Sequence, residues 1–328
     1  RIGYFADGLW SHRLLEYLVT DDRFTIVYIV PRAESGDFVL AQWAEKLEVP
    51  FLEFKDVNKP DAIDHLLRYE PDINVSMSFD QILKLDIIES APLGFINCHA
   101  GQLPFYRGRN VLNWALINDA SSLSVTVHYV DEGIDTGDII LQKDLSIDDN
   151  DTYASLIDRT SVLCADSLYQ ALCLILDDKV CRQSQEKIHP VGFYCGRRRS
   201  GDEWIDWNWS SRRIFNFVRA ISHPGPRART IRKSEQLLIN CAGLIDEAPM
   251  FIGTPGEVIG VKSGDGFIIK TGDTTLLLQE VTCLKGDRVK LAVGQRLGHN
   301  LASTVANLVE RLQQLEAQVT TIGRRDLE

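Results

Sequence analysis

The sequence predicts an α/β fold, a parallel sheet flanked by helices, followed by a smaller OB-like β domain and a C-terminal helix. Three observations carry this. Short apolar or β-branched runs alternate with amphipathic stretches through the first half, as in successive βαβ units. Beyond about residue 200 the pattern changes to short strands with Gly-bearing turns, which argues a small β-barrel. The 328 residues are 45% hydrophobic and 25% charged, enough to build two packed cores. The expected divisions are 1–190, 203–295 and a tail over 300–328.

Element by element, Arg1-Ile-Gly-Tyr-Phe-Ala6 reads as a buried strand broken at Asp7-Gly8. A strand-like start implies that residues precede Arg1. A helix over Ser11 to Val19 places Leu14, Leu15 and Leu18 on one face. The run Phe24 to Val30 is β-branched and stops at Pro31. Helices follow over Gln42–Leu47 and Ala62–Tyr69, with a strand expected at Pro50–Phe54 between them. Strands at Ile73–Met77, Phe95–His99, Ser124–Val130 and Ile139–Lys143 alternate with helices at Gln81–Ile88 and Asn110–Ile117. A long amphipathic helix spans Thr152 to Leu176, with Asn150 or Asp151 expected as its cap. Strands of the second domain are expected around Leu237, Gly256, Gly266 and Thr275, after a helix over Ser211–Ile221. Trp204, Trp207 and Trp209 are expected to wedge the two domains together. In the tail, Leu301, Val305, Leu308, Leu312, Leu315 and Val319 make a short a/d seam. It either packs on its own chain or joins two copies as a homodimer.

Composition narrows the function. The net charge of −11 predicts no broad footprint for nucleic acid or for an anionic membrane. No apolar run reaches transmembrane length. Seven cysteines, an odd number without a CxxC pair, predict reduced thiols, a cytoplasmic protein and no metal cluster.

The densest polar signal is Asn97-Cys98-His99, where a buried strand runs out. Sites in open α/β sheets form beyond the carboxyl ends of strands. Residues two apart on a strand share one face, so Asn97 and His99 point the same way. Downstream, Asp131-Glu-Gly-Ile-Asp135-Thr-Gly-Asp138 is an acidic glycine-bearing loop after another strand. A carboxylate from it would pair with His99 and orient the ring. An amide, an imidazole and a carboxylate together suit stabilisation of a developing oxyanion with movement of a proton.

The segments Ile96-Asn-Cys-His-Ala-Gly-Gln-Leu-Pro-Phe-Tyr-Arg-Gly-Arg-Asn110 and Val125–Ile140 resemble the formyltransferase family that uses 10-formyltetrahydrofolate. That family carries Asn-x-His, then Leu-Pro and often Tyr-Arg-Gly, then a Gly-x-Asp-x-Gly loop. The resemblance implies a Rossmann-like catalytic domain and a catalytic trio of Asn97, His99 and Asp135. The family's usual His-Pro-Ser is here His99-Ala100-Gly101, which makes the neighbouring loop smaller. It further implies a folate pocket. The stretch Phe79, Gln81, Ile82 and Leu83 would pair with the pterin ring, Ile88, Phe95 and Val130 would be apolar walls, and the backbone of Asp131 to Gly133 would close over it.

The strings Arg107–Trp114 and Tyr194–Asp202 look like the nucleotide-sugar N-formyltransferase branch. They imply a UDP- or dTDP-linked amino sugar as acceptor, for surface polysaccharide precursors, with Arg107, Arg109 and Arg197 or Arg198 as diphosphate partners. Trp10 opens a helix whose N-terminus could face an anion, or packs on that helix. The methionyl-tRNA formyltransferase branch is the alternative. Its basic loop after the second strand is here Pro31-Arg-Ala-Glu-Ser-Gly-Asp37, which is not basic. A non-catalytic nucleotide- or folate-binding protein is the reading from another class.

Overall fold

β1 (Ile2–Ala6) is buried along its whole length, because both faces of a central parallel strand are covered. α1 (Gly8–Leu18) buries Ser11, Leu14, Leu15 and Leu18, a stripe at helical spacing. There follow β2 (Ile26–Pro31), α2 (Phe38–Leu47), α3 (Pro60–Leu67), β3 (Ile73–Met77), α4 (Leu85–Ile88), β4 (Phe95–His99), β5 (Arg107–Gly108) and α5 (Val111–Ile117). Next come β6 (Ser122–Tyr129), β7 (Ile139–Ser146), α6 (Tyr153–Leu176), α7 (Gln185–Ile188) and β8 (Tyr194–Cys195). The computed structural model describes residues 1–298 and 309–315. They fall into two units, Arg1–Asp202 and the chain from Glu203 onward.

In the first unit six strands lie in the order β2-β1-β3-β4-β6-β7. The first four run parallel, while β6 is antiparallel to β4 and β7 to β6. The acidic loop joins β6 to β7 directly, and a direct turn links only antiparallel neighbours. β5 and β8 pair with each other in a separate parallel ribbon. α1 packs on the long α6. One core cluster gathers Phe5, Tyr28, Ile87, Ile88 and Phe95, with Phe79 and Val130 packed against it. The Phe5 and Phe95 rings lie 4.9 Å apart.

Several local expectations shift. Pro50–Phe54 forms no strand but a single bridge from Phe51 to Ile29, since Pro50 has no N–H to continue the ladder. α2 starts at Phe38 rather than Gln42, because the Asp37 side chain accepts from Leu40 N at 3.0 Å and caps it. The cap of α6 is Thr152, in a reciprocal box with Ser155, and neither Asn150 nor Asp151. Asp151 is engaged by Arg159 instead, at 2.7 Å.

In the second unit α8 (Ser211–Ala220) precedes β9 (Ala228–Arg232), β10 (Glu235–Leu244), β11 (Val258–Lys262), β12 (Gly266–Lys270) and β13 (Thr275–Cys283). The antiparallel order is β11-β12-β13-β10-β9. Arg296 bridges Glu257 beside one edge strand and Leu297 bridges Arg232 on the other, closing the sheet on itself. α8 is capped by Ser210 and by Asp273, whose Oδ1 accepts from Ser211 N at 2.8 Å. Trp207, expected between domains, is buried inside this unit, its Nε1 donating to Thr230 Oγ1 at 2.9 Å. Trp209 packs edge-on against Phe217. Of the expected seam, Leu312 and Leu315 lie in a helical stretch over 309–315 and are exposed. Leu301, Val305, Leu308 and Val319 lie outside the described residues. Among the described residues no helix is long and apolar enough to cross a membrane, and no group of His, Cys, Asp and Glu could hold a metal.

Candidate active site

Beyond the carboxyl ends of β3 and β4 the first unit opens into a cavity of about 690 Å³. β4 delivers Asn97 and His99 to it from one face, as strand alternation requires. β6 lies antiparallel with His128 directly opposite Asn97. The loop from β6 to β7 returns Asp135 to the same place. Two stretches some thirty residues apart, β4 and β6 with the loop that follows it, thus bring four polar side chains together.

Asp135 is the centre. Its Oδ2 lies 3.6 Å from His99 Nδ1 and its Oδ1 lies 3.5 Å from His128 Nε2. Gly108 N donates to Oδ2 at 2.8 Å. Burial by itself pushes this carboxyl up. The charge of His99, the hydrogen bond and charge of His128 and the Gly108 N–H outweigh burial and hold it well below the usual carboxylate range.

Each ring is oriented by its other nitrogen. His99 Nε2 donates to the Tyr106 carbonyl at 2.7 Å. Both His99 partners are acceptors, so the doubly protonated ring satisfies both. His128 Nδ1 donates to the Tyr129 carbonyl at 2.8 Å. His128 Nε2 in turn faces both Asn97 Nδ2, at 3.2 Å, and Asp135 Oδ1, at 3.5 Å. The result is one carboxylate flanked by two imidazoles, one of them tied to an amide.

The short His99-Ala100-Gly101 turn has a physical reason. A Cβ on Gly101 would lie 2.5 Å from His99 Nε2 and 2.6 Å from the Tyr106 carbonyl. Neither contact is tolerable, and the carbonyl is backbone. Gly101→Ala is therefore expected to destabilise by about 1–3 kcal/mol and to depress turnover. Denaturant midpoints and steady-state rates measure both. Wild-type values for the two together would contradict the close approach.

The other sequence-derived residues divide. Phe79, Gln81, Ile82, Leu83, Val130, Asp131 and Gly133 line the cavity, as do Trp10, Arg109 and Arg197. Gln81 also braces the wall, its Nε2 donating to the Phe54 carbonyl and its Oε1 accepting from Val57 N. Arg109 Nη2 donates to the Asp80 carbonyl at 3.1 Å.

Four residues do not line it. Ile88 and Phe95 sit in the core cluster beneath. Phe95 opens β4 four residues before His99, about 13 Å down the strand. Arg107 is taken up by Gln185, to which its Nε and Nη2 donate at 3.1 and 2.7 Å. Arg198 turns its guanidinium to the Asp202 carbonyl and to the Trp114 ring, 5.8 Å from the centroid.

Lining residues that sequence reasoning passed over include Arg32, Asn110, Tyr153, Tyr194 and above all His128. For His128 the available signal was its place in Val-His-Tyr at a strand end, three residues before the acidic loop.

Residues 28–172 match the family described as formyl transferase, and residues 198–293 match its C-terminal domain. The methionyl-tRNA formyltransferase of Syntrophus aciditrophicus (strain SB) is 33% identical over 260 residues, 79% of this chain and 81% of that protein. Among solved structures, a sugar 3N-formyl transferase, WlaRD, in the presence of dTDP and 5-N-formyl-THF, is similar at TM-score 0.61 and 22% identity. The match covers 85% of this chain and 97% of that one. An N-formyltransferase from Helicobacter canadensis, complexed with folinic acid and dTDP-3-aminofucose, matches at TM-score 0.58 and 20% identity, over 85% and 98% of the chains.

Proposed function

The chain belongs to the formyl transferase family, and on that premise we propose that it transfers a formyl group from 10-formyltetrahydrofolate to the amine of a UDP- or dTDP-linked amino sugar. The observation that carries this reading is a single cavity lined both by the Asn97–His99–His128–Asp135 cluster and by Arg109, Arg197, Trp10 and Tyr194. Its volume of about 690 Å³ lies within the range of small-molecule sites. Arginine suits diphosphate and aromatic faces suit a base.

The residues present also fit a folate. Phe79, Leu83 and Val130 offer an apolar wall, and Asp131 and Gly133 line the same cavity. When bound, the folate supplies the formyl carbon and a nitrogen leaving group. Asn97 contributes an N–H toward the oxygen that gains negative charge. His99 contributes another as its Nε2–H exchanges the Tyr106 carbonyl for that oxygen. Each such donor is worth about 3–4 kcal/mol in the transition state. Asp135, 3.6 Å from His99 Nδ1, orients that ring and helps pass the proton lost by the attacking amine to the departing nitrogen.

A second reading has its own support. The Syntrophus relative is named as a methionyl-tRNA formyltransferase, and its identity is above that of the sugar-acting structures. Against it stand the net charge of −11 and the 31–37 loop, with one Arg against Glu34 and Asp37.

One experiment separates the two. The protein is incubated with 10-formyltetrahydrofolate and a panel of UDP- and dTDP-linked amino sugars, with methionyl-tRNA as a parallel arm, and products are read by mass. Formylated sugar is the expected result. Formylated methionyl-tRNA with every sugar unchanged would overturn it.

A further inference from the structure

Asp135 has φ +55°, in the left-handed region, where a non-glycine residue persists only if its surroundings hold it. The group that holds it is Gln185, the first residue of α7 and 3% exposed. Gln185 Nε2 donates to the Asp135 carbonyl at 2.9 Å and to the Gly137 carbonyl at 2.8 Å. Its Oε1 accepts from Arg107 Nε and Nη2. Carbonyls only accept and a guanidinium only donates, so the amide can face just one way. The Arg107 guanidinium is itself seated over the Tyr194 ring, 5.5 Å from the centroid. On the far side the loop is pinned at Gly137, where a Cβ would lie 1.9 Å from the Tyr129 carbonyl.

We propose that Gln185, oriented by Arg107, is a positioning residue for formyl transfer, holding the Asp135 loop so that the carboxylate stays between His99 and His128. This rests on the reading of the cavity given above. The charge contacts of 3.6 and 3.5 Å have little slack, and a loop that relaxes by an ångström loses them. Misplacement on that scale can lower a rate about 100-fold without touching the reacting groups. Arg107, expected from the sequence to meet a diphosphate, acts instead two steps behind the carboxylate.

The test uses the full chain with Gln185→Met, Gln185→Glu and Arg107→Met. Gln185→Glu keeps the shape and the Arg107 contact but turns a second acceptor against two carbonyls. A space-filling role tolerates it, and a clamp does not. Both Gln185 variants are expected to lose about 10- to 100-fold in kcat, with KM for 10-formyltetrahydrofolate little changed. The ring-nitrogen NMR signals of His99 and His128 are expected to move. Arg107→Met is expected to show a smaller loss of the same kind, and serves if Gln185→Met fails to fold. Wild-type kcat with unmoved ring signals in Gln185→Glu, or a loss confined to KM, would overturn the proposal. The NMR arm needs no formyl acceptor. Absent transfer in the wild type would sink the functional reading alone, whereas unmoved ring signals would sink the clamp alone.

Discussion

Asp135→Asn is expected to lower kcat by about two to four decades while the protein stays folded. Asparagine has the same shape and keeps an oxygen for the Gly108 N–H. What it lacks is the charge that faces His99 at 3.6 Å and His128 at 3.5 Å. Thermal unfolding monitored beside turnover separates the two effects. Turnover near wild type would remove Asp135 from the chemistry.

The same variant carries a pH signature. The Asp135 carboxyl is depressed in the folded protein, first against burial and then by His99, His128 and the Gly108 N–H. A depressed carboxyl stabilises the fold at pH above its unfolded value and loses that contribution as pH falls through its folded value. The contribution of this carboxyl to the stability gap between wild type and Asp135→Asn is therefore complete well above its unfolded value. It should shrink below about pH 4. A gap that widens on acidification would contradict the charge assignment.

The second large effect is expected from His99→Ala, also about two to four decades in kcat. Here the loss has two sources. The imidazole that answers Asp135 is gone, and the Tyr106 carbonyl loses the N–H at 2.7 Å that it accepts from. The second source costs stability as well, about 1–3 kcal/mol for a buried acceptor left unpaired. Added free imidazole is expected to restore part of the rate and, because it does so by binding the folded protein, part of the stability as well. A His99→Ala protein with full turnover would dismiss the ring from the mechanism.

Much of the first unit could be read from sequence because burial follows local periodicity. Alternation on β4 is enough to put Asn97 and His99 on one face, and the β6–β7 loop announces itself through its glycines and carboxylates. The same reading misplaced Ile88 and Phe95. A residue facing the pocket and one facing the core look alike when both are apolar. It offered Arg107, and Arg198 as the alternative to Arg197, for a diphosphate, whereas the structure pairs both with the protein's own groups. A guanidinium marks a place for an acceptor without saying whether that acceptor is a ligand or the protein's own Gln185 or Asp202.

By itself the amino-acid order determined most of the strands and helices of the first unit, which faces are apolar, and that one strand end carries an amide and an imidazole. Only the tertiary structure decided that His128 stands opposite Asn97, 31 residues away, and that Gln185 reaches back 50 residues to the Asp135 carbonyl. The physical reason is range. Side-chain periodicity acts within a few residues of backbone, whereas the register of an antiparallel pair and the seating of a short helix depend on how distant surfaces pack.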